Sequence, residues 1–303
     1  MSGPEDTAVP VPIPPAEPRA GRVEVMEEEL RFQFLVRGRL VLAYNKGCLR
    51  YGDFYKSKPD LDPVLSPSGR RVTTTSAYRY NHHRSIWIGH AKVNGVNVFH
   101  DNNPTRPNLG DIVLEQAEAA AQGQVATLSS TNGWVAKDGR RLLTERRTLR
   151  FAPGEAAHVL DIESILVASD GPVELGQDAH AYLGVRVADT MDEEDGGQLL
   201  NSQGAQGEAG TMRQVAEWVD YSGPVAGQIV GITLMVHPEN PESACFTRAY
   251  GTMLANPTLL RPLTIRAGDA LSQRFRLVIH EGPPQSDALW QLYREFATPT
   301  TSA

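Results

Sequence analysis

The chain has little of what usually names a function on sight. It holds two cysteines in 303 residues, Cys48 and Cys245, with no Cys-x-x-Cys pair. That excludes a disulfide framework. No apolar run approaches the roughly 18 residues that a membrane helix needs. Basic residues number 29 against 36 acidic ones, and a net charge of −7 is the wrong sign for a nucleic-acid footprint. There is no glycine-rich phosphate loop ending in Lys-Ser/Thr, no dinucleotide fingerprint, no Gly-x-Ser-x-Gly elbow and no His-Glu-x-x-His pair. The N-terminus, MSGPEDTAVPVPIPPAEPRAG, lacks the basic and then apolar regions of a secretory signal. Together these absences predict a cytoplasmic protein with free thiols, with neither nucleic acid nor a membrane as partner and with self-association left open.

What is present is a β-rich pattern. Hydrophobic residues make up 41% of the chain, enough for one large core. Residues 1–20 are rich in Pro, Glu and Ala and predict a disordered tail; 21–303 then read as one domain. Short β-like runs cover 23–26, 30–36 and 40–44, with Arg37-Gly38-Arg39 as the turn between the last two. A Pro-, Ser- and Asp-rich loop spans 53–68 and leads into the turn Ser66-Pro67-Ser68-Gly69. Val93-Asn94-Gly95-Val96 reads as a tight hairpin, because Asn-Gly suits a type I′ turn. Further strands are predicted over 112–119, 124–131, 141–151, 158–168, 173–187, 212–221, 228–237, 246–254, 263–265 and 271–280. Evenly spaced strands of this kind predict a mainly β protein, a large antiparallel sandwich. One helix is predicted over 286–296, where Leu289, Trp290, Leu292, Tyr293 and Phe296 give an apolar stripe. The acidic and then Gly/Gln-rich segment 189–210 reads equally as a mobile flap or as a disordered insertion.

The most informative stretch is Tyr80-Asn81-His82-His83-Arg84-Ser85-Ile86-Trp87-Ile88-Gly89-His90. Three of the eight histidines fall within nine residues, beside an arginine. Histidine alone has an unperturbed pKa near neutrality, and arginine offers a charged fork to oxygen-rich ligands. Read as one strand, the segment puts His82, Arg84, Ile86, Ile88 and His90 on one face and His83, Ser85, Trp87 and Gly89 on the other. The bland alternative is that His82 and His90 cap strand ends.

Three other places carry candidate chemistry. In Gln177-Asp178-Ala179-His180-Ala181-Tyr182, period two puts Asp178, His180 and Tyr182 on one face, so that an Asp and a His could form an acid–base pair. Glu217-Trp218-Val219-Asp220-Tyr221 mixes rings and carboxylates as sugar-binding surfaces do. His237-Pro238-Glu239-Asn240-Pro241 sits at a strand end, ahead of Arg248 and Tyr250. These segments predict His83, His180, His82 and His237 as catalytic candidates. Arg84, Trp87, Asp178, Tyr182, Trp218, Asp220, Asn240, Arg248 and Tyr250 are the substrate-binding candidates. If one site unites them, His83, His180 and His237 should converge.

Several of these pieces, in order, also resemble a bacterial family of unassigned activity known as PmoA-like, after methane oxygenase. They are Lys58-Pro59 through Pro63, Ser66-Pro67-Ser68-Gly69 with Val72-Thr73, and His82-His83-Arg84-Ser85-Ile86-Trp87 with Val93-Asn94-Gly95-Val96. Then come Leu183-Gly184-Val185-Arg186-Val187, Ala216 to Gly223, His237-Pro238-Glu239-Asn240-Pro241, Arg248 with Tyr250-Gly251, and Ala255-Asn256-Pro257. The methane label does not suit a chain with no membrane span. The resemblance implies a fold similar to galactose-mutarotase-type supersandwiches, and sugar chemistry. The chain departs from that pattern at His180, at Ala249 and at Cys245-Phe246-Thr247, all on candidate site walls.

Three functional readings follow. The first is an enzyme acting on a sugar or glycoside through histidine acid–base chemistry, as epimerase, mutarotase or a lyase eliminating from an oxidised glycoside; it calls for no cofactor and no metal. The second is a noncatalytic carbohydrate-binding sandwich. The third adds a metal, with His100-Asp101 completing a two-histidine, one-carboxylate set in an oxygenase or lyase.

Overall fold

A computed structural model describes residues 22–47, 50–51, 54–55, 58–77, 80, 82–101 and 108–298. The expected tail over 1–20 and Cys48 lie outside the described residues. The chain opens with β1 (Val23–Glu27), β2 (Arg31–Val36), β3 (Arg39–Asn45) and the two-residue strands β4 (Arg50–Tyr51) and β5 (Phe54–Tyr55). Next come β6 (Asp60–Val64) and β7 (Ile86–His90), then a meander of long strands. These are β8 (Gly110–Gln122), β9 (Val125–Ala136), β10 (Arg141–Ala152) and β11 (Ala157–Val167). After them come β12 (Val173–Leu175), β13 (Ala181–Arg186), β14 (Gln198–Asn201), the short helix α1 (Gly207–Thr211), β15 (Trp218–Val225) and β16 (Gln228–Val236). The chain closes with β17 (Ala244–Arg248), β18 (Thr252–Asn256), β19 (Leu263–Ile265), β20 (Ala270–Glu281) and α2 (Ser286–Ala297).

Two eight-stranded antiparallel sheets face each other. The first runs β1-β2-β3-β6-β7-β13-β18-β17 and the second β14-β15-β16-β20-β11-β10-β9-β8. Alternation drives the packing. Along β11 every second residue is buried, so one face of the strand enters the core and the other meets solvent. Phe34, Leu42, Ile86, Ile88, Leu183 and Val185 from the first sheet meet Leu128, Trp134, Leu149, Leu160, Ile162 and Leu277 from the second. Burying a side chain of this kind contributes about 1.5–3 kcal/mol. The two-residue turns form as expected. Arg37 and Gly38 have φ of 52° and 71°, and Asn94 and Gly95 have 48° and 78°, the positive pairs that a type I′ turn requires.

Several expected elements divide. The strand read over 80–90 begins only at Ile86, so the face assignments made for His82 to Ser85 do not hold. The run 173–187 breaks into β12 and β13, with residues 176–180 looping out between them. The run 246–254 is part of a hairpin, β17 and β18, turning at Ala249–Gly251. The loop expected over 53–68 contains β6, and the strand expected over 212–221 starts only at Trp218. The segment 189–210 is not an insertion without structure. It folds into short turns, β14 and most of α1, and is pinned where Tyr221 Oη accepts the Glu193 amide at 3.0 Å and donates to Ala249 O at 2.8 Å. Helix α2 packs Leu289 and Trp290 over Trp218, Met235 and Val278 on the outer face of the second sheet.

Candidate functional site

The outer face of the first sheet carries the chemistry. Period two turns Leu183, Val185, Met253 and Ala255 inward, so Gly184, Arg186, Thr252 and Leu254 point the other way, beside Trp87 of β7 and Phe246 and Arg248 of β17. Trp87, Phe99 and Leu254 form a second, smaller apolar cluster there. Gly184 sits opposite Trp87 in the strand register, and a Cβ at that position would lie 2.7 Å from the indole. The missing side chain lets the indole lie flat on the sheet.

On this floor four imidazoles touch in sequence. Ring centroids are 4.6 Å apart from His83 to His82, 4.6 Å from His82 to His100 and 4.8 Å from His100 to His180. Phe99 lies among them, 5.4 Å from His180 and 6.4 Å from His82. His100 is set by Asn97, whose side-chain oxygen accepts the backbone amides of Phe99 and His100, each at 3.1 Å. His83 stacks on Trp87 at 5.6 Å and under Tyr80 at 4.9 Å, and Tyr80 also stacks on Tyr250 at 4.3 Å. His83 is therefore buried, with Nδ1 3.3 Å from Thr252 Oγ1. Burial, reinforced by the positive fields of His82, Arg186, His180 and His100, pushes its pKa down to about 2.

His180 differs, with 35% of its side chain exposed. Its Nδ1 is 2.9 Å from Asp178 Oδ1, which also accepts the backbone amide of His180 at 2.9 Å. Burial works against ionisation of Asp178, but the hydrogen bonds from the His180 ring and backbone outweigh it, and Lys92 adds to them. The carboxyl is thereby held below the usual range. Asn256 fixes the excursion that bears the pair, donating to Asp178 O at 2.8 Å and Ala179 O at 3.1 Å. Arg248 and Tyr250 close the far wall, with the guanidinium carbon 5.3 Å from the ring centroid and 5.9 Å from that of Phe246.

The structure thus brings together His82, His83, His180, Asp178, Trp87, Arg248 and Tyr250. It separates the others. Arg84 is fully buried and ion-paired with Asp101, which Lys58 Nζ also reaches at 2.5 Å; Asp60 lies 3.8 Å from the guanidinium. These contacts make Arg84 an interior cation rather than a substrate ligand. They also commit Asp101 elsewhere than to a metal triad with His100. Among the described residues, no group of three or more His, Cys, Asp or Glu side chains is placed to hold a metal. Tyr182 points between the sheets, its hydroxyl 2.6 Å from Ser164 Oγ, although Gly184 two residues on faces outward; the alternation fails at the start of β13 and so does not reach back to His180. His90 caps its strand, accepting the Lys92 amide at 2.9 Å and bonding Thr258.

His237, Asn240, Trp218 and Asp220 belong to the second sheet and its loops, and the expected convergence of His237 with His83 and His180 does not occur. His237 meets Phe296 of α2 edge-on at 5.0 Å, and Asn240 brackets Arg274 with two backbone hydrogen bonds of 2.7 Å. Trp218 meets Trp290 at 6.1 Å. Asp220 accepts from Thr233 at 2.6 Å and pairs with His280 at 2.9 Å. An alternating strand shows which residues share a face, but it leaves open which side of a two-sheet sandwich that face is on. Sequence reasoning underrated Phe99, Tyr80, Asn256 and Arg186, whose roles come from long-range packing; a run of motifs did contain the last two.

The chain belongs to DUF6807, a family of unknown function that matches residues 31–294. The match names no activity, and it gives the PmoA-like resemblance of the motifs no support of its own. No curated protein matches the sequence. Among solved structures, the chain is similar to an alpha-galactosidase from Lactobacillus brevis at 8% identity and a TM-score of 0.40, covering 88% of this chain and 40% of that one. It is also similar to a Glycoside Hydrolase Family 97 enzyme from Pseudoalteromonas sp. strain K8 at 8% identity and TM-score 0.38, covering 86% of this chain and 34% of the other. The chain thus spans well under half of the length of these two enzymes. A galactose mutarotase-like protein from Lactobacillus casei ATCC 334 matches over its whole length, with 85% of this chain covered, 9% identity and a TM-score of 0.36. Among the described residues no helix is long and apolar enough to cross a membrane.

Proposed function

We propose that the protein is an enzyme acting on a sugar or glycoside by proton transfer, with His180 as the acid–base group and Asp178 as its positioning residue. The observation that carries this reading is the partly exposed His180–Asp178 pair, 2.9 Å apart, at the edge of an aromatic floor. A carboxylate on Nδ1 fixes the tautomer in which Nε2 is free to take a proton, and stabilises the imidazolium that results. A ring such as Phe246 offers an apolar face to the C–H groups of a pyranose. His82, half-buried beside His100, is the second proton-transfer group. His83, with its pKa near 2, is too weak a base for the task at neutral pH and serves as a neutral stacking element. The chemistry fits epimerisation, mutarotation or elimination equally.

The experiment is a sugar and glycoside panel with product analysis, repeated on His180→Ala. Turnover of one sugar that falls by about 10²–10⁴ in the variant supports the reading. Binding without conversion by the wild-type protein would replace it with a carbohydrate-binding module.

A further inference from the structure

A buried cation beside this site is left without full compensation. Arg186, the last residue of β13, is 4% exposed, yet among the described residues its side chain makes one hydrogen bond, from Nη2 to Asp189 Oδ1 at 2.8 Å. Its Nε and Nη1 are buried with no acceptor among the described residues. The Asp189 side chain is 55% exposed, so water screens it and it neutralises little of the buried charge. A buried donor without an acceptor is costly, and the chain makes room for the group that bears these two. Gly251 has φ of +94°, and a Cβ there would collide with Nη1. The guanidinium carbon stands 5.8 Å from the Tyr250 ring centroid.

Arg248 approaches the same ring, with its guanidinium carbon at 5.3 Å. It is 38% exposed, and Glu208 Oε1 lies 3.4 Å away, longer than the roughly 2.7–2.9 Å of a close charge-assisted bond. Its Nε is buried with no partner among the described residues. One tyrosine ring therefore carries two guanidiniums, one at the surface and one beneath it.

We infer that this wall recognises a carboxylate carried by the sugar, with Arg248 as the contacting fork and Arg186 as a buried source of positive potential behind Tyr250. The inference rests on the sugar reading above and specifies its substrate class as a sugar acid. Two coplanar carboxylate oxygens match a guanidinium fork, whereas a neutral hydroxyl would leave both charges as they are. Asp189, the buried Asp192 and Glu208 are the competing anions on these arginines. The ligand's carboxylate displaces the loose hold of Glu208 and leaves Asp189 in place.

The test is calorimetric titration of the full chain with D-glucuronate and D-galacturonate against D-glucose and D-galactose, at low and high salt. A uronate should bind about tenfold more tightly than its neutral counterpart, the equivalent of one charge-assisted hydrogen bond. The margin should shrink at high salt. Arg248→Gln, shown folded by circular dichroism, should remove the margin, and Arg248→Lys should keep part of it because the charge persists without the fork. A neutral hexose binding as tightly as its uronate, or a margin that survives Arg248→Gln, overturns the inference and leaves the sugar reading standing. If none of the four sugars binds, both fall.

Discussion

Asp178 holds His180 twice through one oxygen, accepting from the ring at 2.9 Å and from the backbone amide of the same residue at 2.9 Å. These two hydrogen bonds to a single carboxylate oxygen lock the χ angles of both residues, and the amides and carbonyls around Asn256 and Thr258 lock the loop. Asp178→Asn keeps this shape and removes the charge. The amide can present its N–H₂ to Nδ1, which favours the wrong tautomer and no longer stabilises an imidazolium. The expected result is a kcat lower by about 10²–10⁴ with little change in KM. Steady-state kinetics on the substrate found in the sugar panel decide it, and an unchanged kcat would remove Asp178 from the mechanism.

Arg84 separates structure from binding. It is buried with Asp101, and Lys58 and Asp60 complete the group. Removing one member of a buried ion pair costs about 3–5 kcal/mol, because the remaining charge is left in the interior. Arg84→Met should therefore lower the urea midpoint strongly. Full stability combined with lost sugar binding would return Arg84 to the site.

The sequence made the sandwich legible because alternation along strands such as β11 and the Asn94-Gly95 and Arg37-Gly38 turns are local signals. The histidine cluster was legible in part for the same reason, since His82 and His83 adjoin in the chain. What local signals do not contain is the partner face. Trp218, Asp220 and His237 looked like site residues by composition, but Trp218 and His237 pack against α2, and Asp220 pairs with His280 within the second sheet. Asp178 and His180 were paired by spacing, but what holds them is the excursion between β12 and β13, which depends on Asn256, 77 residues beyond Ala179.

Acid should weaken the fold through two histidines. Burial first of all pushes His83 down to about 2, and burial also brings His90 to about 4 against the opposing pull of Asp178; both titrate near 6.5 when unfolded. The unfolded chain thus takes up protons that the native state refuses. The contribution is intact above pH about 6.5 and is lost as pH falls towards the folded values, at about 1.4 kcal/mol per pH unit for each group. Urea midpoints measured between pH 7 and pH 4.5 should fall, and His90→Asn should flatten the slope. A midpoint independent of pH over this range would contradict the neutral state of both rings.

Gly184 is the point at which packing and function meet. The indole of Trp87 lies across it, and a methyl group there would come within 2.7 Å of the ring. Trp87 in turn supports His83 at 5.6 Å, and His83 supports Tyr80 at 4.9 Å. Gly184→Ala therefore has to lift the whole stack, since the indole is 1% exposed and hemmed in by Phe99 and Leu254. Overpacking of this kind costs about 1–3 kcal/mol. The change should appear as a lower urea midpoint, together with altered near-ultraviolet circular dichroism from the displaced indole. Sugar affinity should fall as well, because the platform that Tyr80 shares with Tyr250 shifts with the stack, whereas the His180–Asp178 hydrogen bond lies outside it and kcat should change less than KM. A variant with wild-type stability and an unchanged near-ultraviolet spectrum would mean that Trp87 does not lie on Gly184 in solution, and the floor of the site would have to be redrawn.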